Sequence, residues 1–357
     1  GAFSANSKGY LVNTAGLYLQ GWPADTNGNI TTDPSNLALL QPINITQVSS
    51  TPVPTTQASI FANLQSSQPP SQATTDAATV AAYNAFVAGG GTPTAGQTAA
   101  FTAASVDAYS ASSSTTSMAA YTASDGMIGT KPDFTLQIPV SNTEGGTQTV
   151  QFDFLKSATA NQWYTDVVSL PASSVQVGAG LQPGQVATGT VAFTDTGLID
   201  TANTTLPVHL AFGASSGTPG AGAVNWGTYL GIGAQTATLD LSNLTQNDSI
   251  SSVTSISTNG TPTGSLSSVQ VDASGKVTAV FSNGTTRTLA QVAIATFANA
   301  NGLNSVSGDA FQTSLSSGTY NLKIAGTAGA GSIAPSNLES STVDLSAEFT
   351  NMITTQR

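Results

Sequence analysis

Hydrophobic residues in this chain gather only in strand-length pieces, each closed off by Gly, Pro, Asn or Asp, and that brevity limits the fold more than any other feature. Tyr10-Leu11-Val12 and Leu17-Tyr18-Leu19 flank Asn13-Thr14-Ala15-Gly16, a hairpin signal because Asn and Gly tolerate the left-handed conformations of tight turns. Asp25-Thr26-Asn27-Gly28-Asn29 is a second turn, and Ala58 to Leu64 reads as one more strand closing a first section. Ser66-Ser67-Gln68-Pro69-Pro70 then reads as a linker. Strict alternation returns at Phe134, Leu136 and Ile138, turns at Glu144-Gly145-Gly146, and resumes at Val150, Phe152 and Phe154. Gln162-Trp163-Tyr164 begins a further strand, and short strands follow around Val175, Val191–Phe193, Leu206–Phe212 and Leu239–Leu241. Leu266 to Phe281 forms a hairpin turning at Asp272-Ala273-Ser274-Gly275, and Val292, Ile294 and Thr296 continue that sheet. Short strands at such spacing point to antiparallel sandwiches or barrels.

Two stretches break the β pattern. In 74–110, Thr74 or Thr75 caps a helix carrying Val80, Tyr83 and Val87, Gly89-Gly90-Gly91 stops it, and Pro93-Thr94 opens a second Ala-rich helix with Val106 and Tyr109 near its end. That is an αα-hairpin inserted beside a β-domain. At the end of the chain, Ser341 and Asp344 form a capping-box-like pair, and Leu345, Phe349, Met352 and Ile353 fall on one helical face. The opening Gly1-Ala2-Phe3 reads as the middle of a strand, and the last helix is still running at Arg357. The expectation is a piece of a longer chain, trimmed at both ends.

Charge excludes several classes of function. Only 7% of the 357 residues are charged, against about 25% in an ordinary soluble protein. The net charge is −11, and seven basic residues spread from Lys8 to Arg357 make no patch for a phosphate backbone or an anionic membrane surface. No apolar run is long enough to cross a bilayer as a helix, and no signal-peptide pattern opens the chain. Without Cys there is no disulfide, thiolate nucleophile or Zn–Cys site. The composition fits an exported protein that assembles without redox help.

Motifs with possible chemistry are weak. Gly213-Ala214-Ser215-Ser216-Gly217 matches a nucleophile elbow, but Thr218-Pro219-Gly220 follows where a helix is needed, and the single His, His209, lies upstream rather than last. His209 alone reads as an ordinary strand residue. Asp25-x-Asn27-x-Asn29 mimics half a calcium loop, yet Ile30 and Asn36 stand where Gly and Glu are required. Ser274-Gly275-Lys276-Val277 lacks the upstream Gly and the following Ser or Thr of a P-loop and reads as a hairpin tip. Asn44-Ile45-Thr46, Asn203-Thr204-Thr205 and Asn243-Leu244-Thr245 are chance sequons in a Thr-rich chain. Nothing marks two of the 18 carboxylates as a glycosidase pair, so they read as exposed surface groups. The expectation is no catalytic, cofactor-binding or metal-ligating residue, no cofactor, and no enzyme.

Two segments carry a specific likeness. Gly9-Tyr10-Leu11-Val12-Asn13-Thr14-Ala15-Gly16-Leu17-Tyr18-Leu19-Gln20-Gly21-Trp22-Pro23 resembles the hairpin of flagellar rod and hook proteins. Leu338-Glu339-Ser340-Ser341-Thr342-Val343-Asp344-Leu345-Ser346-Ala347-Glu348-Phe349, with Met352-Ile353 and Gln356-Arg357, resembles their L-E-x-S-N-V-D-L segment, with Thr342 where the family has Asn. Ala295-Thr296-Phe297-Ala298-Asn299 with Gly302-Leu303, Asn161-Gln162-Trp163, and the Gly-rich run Ala325 to Gly331 resemble patterns of the hook family itself. The resemblance implies a mainly β chain of two or more sandwich- or barrel-like domains, one inserted in the other, with the helical hairpin and a C-terminal helix added. It places 1–64 with 262–357 in an inner domain and 65–261, including the 74–110 insertion, in an outer one. It further implies a subunit of a tubular helical polymer at the bacterial cell exterior, a flexible universal joint passing torque from motor to filament. The implied partners are further copies of the chain and the hook cap, distal rod and hook–filament junction proteins, with no nucleic acid and no membrane. A surface adhesin or surface-layer protein is the alternative, and it would have no reason to pair the 9–23 and 338–357 motifs.

Overall fold

The computed structural model describes residues 2–25, 27–31, 33, 36–46, 48–307, 310–337 and 345–356. In chain order its main elements are β1 (Gln20–Pro23), β2 (Gln57–Gln65), α1 (Gln72–Ala88), α2 (Ala95–Asp107) and α3 (Met118–Ala123). Then follow β3 (Phe134–Ser141), β4 (Thr147–Lys156), β5 (Gln162–Leu170), β6 (Gln185–Ala192), β7 (His209–Phe212), β8 (Gln235–Asp240), β9 (Leu244–Asn247) and β10 (Ser252–Thr258). The last are β11 (Leu266–Val271), β12 (Lys276–Phe281), β13 (Thr286–Phe297), β14 (Tyr320–Ile324) and α4 (Leu345–Thr355). The chain is mainly β, as its turn-punctuated pattern requires, and it divides into two compact units, Gly1–Ser50 with Gly264–Arg357 and Thr51–Thr263.

In the first unit β11, β12, β13 and β1 pair in that order, with Gln41–Pro42 on the far edge of β1 and β14 on the second half of β13. The turn at 272–275 is held by the Asp272 carboxylate, which accepts from the amides of Ser274 and Lys276 at 2.9 Å each. The turn at 13–16 is held in the same way by the Asn13 side chain, which accepts from Ala15 and Leu17. Gly16 supplies the positive φ that closes this turn. Trp22 is fully buried on β1, and Ile43, Val277 and Ala290 form a small core. The Ser341–Asp344 capping pair lies outside the described residues. α4 forms as the spacing predicts, with Phe349, Met352 and Ile353 exposed.

The second unit is a two-sheet sandwich. One sheet runs β6-β5-β4-β3, all antiparallel. The other is centred on β2, which pairs parallel with β8 and β9 along one edge and antiparallel with β10 along the other, while β7 lies beyond β8. Alternation sends Leu136, Ile138, Val150, Phe152, Phe154, Trp163 and Val167 inward to meet Ile60, Leu64, Phe212, Trp226, Leu239 and Leu244. Phe212 and Trp226 stack with centroids 4.1 Å apart. Each such side chain, fully buried, contributes about 1.5–3 kcal/mol.

Two differences from the sequence reading stand out. Residues 51–64, read as the end of the first unit, belong to the second, because β2 is the central strand of its second sheet. The inserted helices form a layer of three rather than a hairpin of two, and the face predicted at Val80, Tyr83 and Val87 is not the buried one. Thr74 of α1, Ala104 of α2 and the first turn of α3 are buried, whereas Val87 and Val106 remain 43% and 69% exposed. Small side chains seat α1 and α2, and Met118 anchors α3.

Candidate functional site

The β4–β5 hairpin carries buried polar groups on both faces of its sheet. Its register places Lys156 opposite Trp163 and Asp153 opposite Asp166. The first pair faces the sandwich core, the second the helical layer.

On the core face, Trp163 Nε1 donates to Gln246 Oε1 of β9 at 2.8 Å. The Lys156 ammonium donates to the same oxygen at 3.4 Å and lies 5.0 Å from the Trp163 ring centroid. Gln246 Nε2 in turn donates to Asn161 Oδ1 at 2.9 Å. Asn161 holds a left-handed φ of 56° at the mouth of the hairpin, a conformation Asn tolerates better than most residues. The Asn161-x-Trp163 pattern is therefore two prongs gripping one glutamine of the opposite sheet. Burial lowers the Lys156 pKa. Lys156→Met keeps the stem volume and removes the buried charge, so we expect equal stability or a gain of up to about 2 kcal/mol at pH 7. A base whose pKa falls on folding also makes stability rise with pH toward its ordinary value of 10.5. Urea unfolding at pH 7 and pH 9.5 should show that rise in the parent chain and not in the variant.

On the helical face, Asp153 and Asp166 are both fully buried. Asp153 accepts from the Thr122 hydroxyl of α3 at 2.7 Å and from Gln151 Nε2 at 2.8 Å. Asp166 accepts from the Ala119 amide of α3 at 3.1 Å, from Gln185 Nε2 at 3.2 Å and from the Thr188 hydroxyl. Gln185 also donates to the Ala111 carbonyl at 3.0 Å. Tyr109, buried between the layers, packs its ring on Tyr164 at 4.9 Å and sets its hydroxyl against Asp166 without a hydrogen bond of ordinary geometry. Burial pushes Asp153 up to about 6 and raises Asp166 as well. These two carboxylates correct the reading of all acid groups as exposed. Strand alternation alone gives Asp153 to the face opposite Phe152 and Phe154, and only the helical layer makes that face an interior. The one available signal was the helical stretch itself, which needed some surface to cover.

The weaker motifs settle into local structure. Ser215 is buried, its Oγ accepting from the Ile232 amide at 3.1 Å, while His209 is exposed on β7 with Nδ1 3.2 Å from the Thr238 hydroxyl. The Asp25 carboxylate accepts from the amides of Asn27 and Asn29 at 2.8 Å each, and these bonds lower its pKa, Asn29 contributing most. Gly275 and Lys276 stand at the β11–β12 turn.

A family model described as the flagellar basal body protein FlaE D2 domain matches residues 135–261. The whole chain is 37% identical to the flagellar hook protein FlgE of Caulobacter vibrioides, spanning 77% of that protein. Over 62% of its length it is 34% identical to 29% of the flagellar hook protein FlgE of Helicobacter pylori. Among solved structures, a 32 kDa fragment of the hook protein FlgE from Caulobacter crescentus aligns with all of its own length and 57% of this chain, at 22% identity and a TM-score of 0.46.

Proposed function

This chain belongs to the flagellar hook protein FlgE family, and from that premise we propose that it works as a flexible joint, polymerising into a tube that bends as it turns and passes torque from motor to filament. The observation that carries the reading is the 37% identity to a hook protein along the whole chain. The family is structural and forms the hook polymer, so the adhesin and surface-layer alternative is not favoured. The chain acts without catalysis, without a resident metal or cofactor, and outside the cell. Its partners are further copies of itself, with the cap, distal rod and hook–filament junction proteins at the ends of the tube, and this stretch alone is monomeric in solution.

The first unit is the inner and stiffer part of the tube, and the second is the outer part. A joint needs subunits that slide past one another on every turn. A surface of Ser, Thr, Asn and Gln exchanges hydrogen bonds with water at little net cost, whereas a surface laced with ion pairs would resist. The second unit supplies such soft axial contacts.

Excising Thr51–Thr263 tests this. Ser50 and Gly264 are already joined by a hydrogen bond of 2.6 Å from the Gly264 amide to the Ser50 hydroxyl, so the cut ends lie side by side. With the corresponding segment excised from the Caulobacter vibrioides relative, tubes should still assemble, with altered curvature or stiffness in electron micrographs. Tubes that bend and supercoil as before would overturn the assignment of soft contacts to this unit.

A further inference from the structure

The function above makes no use of the two buried carboxyls under the helices. We propose that Asp153 and Asp166 form a proton-operated latch: the α1–α3 layer is held on the β4–β5–β6 face while the pair carries a proton, and loosens as the pair ionises, with the sandwich beneath intact.

The geometry carries the argument. Residues directly opposite on neighbouring antiparallel strands have Cβ atoms about 4.5–5.5 Å apart, so the register alone makes the two carboxyls neighbours. Two like charges at that separation, both removed from water, oppose each other and cannot both ionise without cost. The layer's own contacts with the pair are few and polar: the Thr122 hydroxyl donates to Asp153 and the Ala119 amide to Asp166, two bonds that favour the ionised form and are outweighed by the burial the layer imposes. Its apolar contact is the small cluster of Tyr109, Met118 and Leu155. The sandwich core on the other face shares none of these residues.

The charged groups on the surrounding elements are Asp76 on α1, Asp107 at the end of α2, and Asp125, Lys131 and Asp133 on the connection from α3 to β3. The other titratable groups are Tyr83 on α1, Tyr109, Tyr121 and Tyr164. Among the described residues no cation acts on either carboxyl. Burial and the neighbouring Asp166 raise Tyr109, so it remains a neutral phenol throughout.

The sign follows from where the proton is bound. With the layer undocked and the carboxyls wet, each titrates near 3.8, while docking lifts Asp153 to about 6 and moves Asp166 the same way. Docking therefore takes up protons between these values. It is tightest below the lower one and weakens as pH rises through the upper. The displacement of Asp153 alone corresponds to roughly a hundredfold in the docking equilibrium, and the pair titrates as a unit rather than as two independent groups.

Amide hydrogen exchange of the full chain at pH 4.5 and pH 7.5, corrected for the intrinsic pH dependence of exchange, reads this directly. Protection across 72–123 should be at least tenfold greater at the lower pH, while amides of Val150–Phe154 and Trp163–Val167 should show no comparable change. The D153N/D166N double variant should keep the layer protected at both pH values. Equal protection of 72–123 at the two pH values in the parent chain overturns the latch, and so does a pH dependence that survives in the double variant. Should the double variant fail to fold, judged by a red shift of the emission of the buried tryptophans, D153N alone decides: its exchange midpoint must move, and an unmoved midpoint overturns the proposal.

Discussion

Trp163→Ala should destabilise the second unit by about 3–5 kcal/mol, the range for emptying a fully buried aromatic site. Two losses combine. The ring leaves a cavity between Phe154, Val191 and the opposite sheet, and the Gln246 carbonyl loses its indole donor. Trp163→Phe separates the two, since it restores most of the volume and none of the hydrogen bond. We expect about 1–2 kcal/mol for that variant, because Gln246 Oε1 then has only the weaker Lys156 contact. Guanidinium unfolding followed by hydrogen exchange in β4 and β5 measures both, and exchange in β12 and β13 serves as an internal reference from the other unit. If the phenylalanine variant lost as much as the alanine variant, the grip on Gln246 rather than the ring volume would be the main term. If neither lost more than about 1 kcal/mol, Trp163 would not be the anchor its burial implies.

How much of this was legible in the sequence depends on how local each cause is. The turn at Asn13–Gly16 and the alternation of Phe134 through Phe154 are written in adjacent residues and fold as read. The chain-end likeness to hook proteins was carried by contiguous motifs and agrees with the family. The position of β2 was not legible. Its partners β8 and β9 lie far along the chain and pair in parallel, a connection that leaves no turn signal beside the strand. α3 was missed because six residues starting at Met118 are too few to display a helical period. The seat of α1 was misread because periodicity points at the largest apolar residues, while tertiary packing chose Thr74 and the alanines, which let the helix approach the sheet closely. Asp153, Asp166 and Gln246 were invisible as a group, since each acquires its meaning from an element elsewhere in the chain.

Gly197→Ala is the second large effect, expected at about 2–4 kcal/mol. Gly197 closes the turn begun by Thr194, with its amide donating to the Thr194 carbonyl at 2.9 Å and φ at +78°. Its own carbonyl accepts from the Gln246 amide at 2.8 Å, which draws the turn against β9. A Cβ at this position would run into the Gln246 carbonyl oxygen, a backbone atom that cannot rotate away. Left-handed strain and collision therefore add. Gly180→Ala separates them, because Gly180 has φ of +95° and nothing within 4 Å of a built Cβ, so only the strain, about 1–2 kcal/mol, should be lost there. Both Gly197 and Trp163 act on the same residue of β9, one through its backbone and the other through its side chain. The Trp163→Ala, Gly197→Ala double variant should consequently lose less than the sum of the two, because a strand already released by one change has less left for the other to disturb. Strict additivity in that cycle, or a Gly197→Ala cost no larger than that of Gly180→Ala, would mean that Gln246 is not the point where the hairpin and the turn converge.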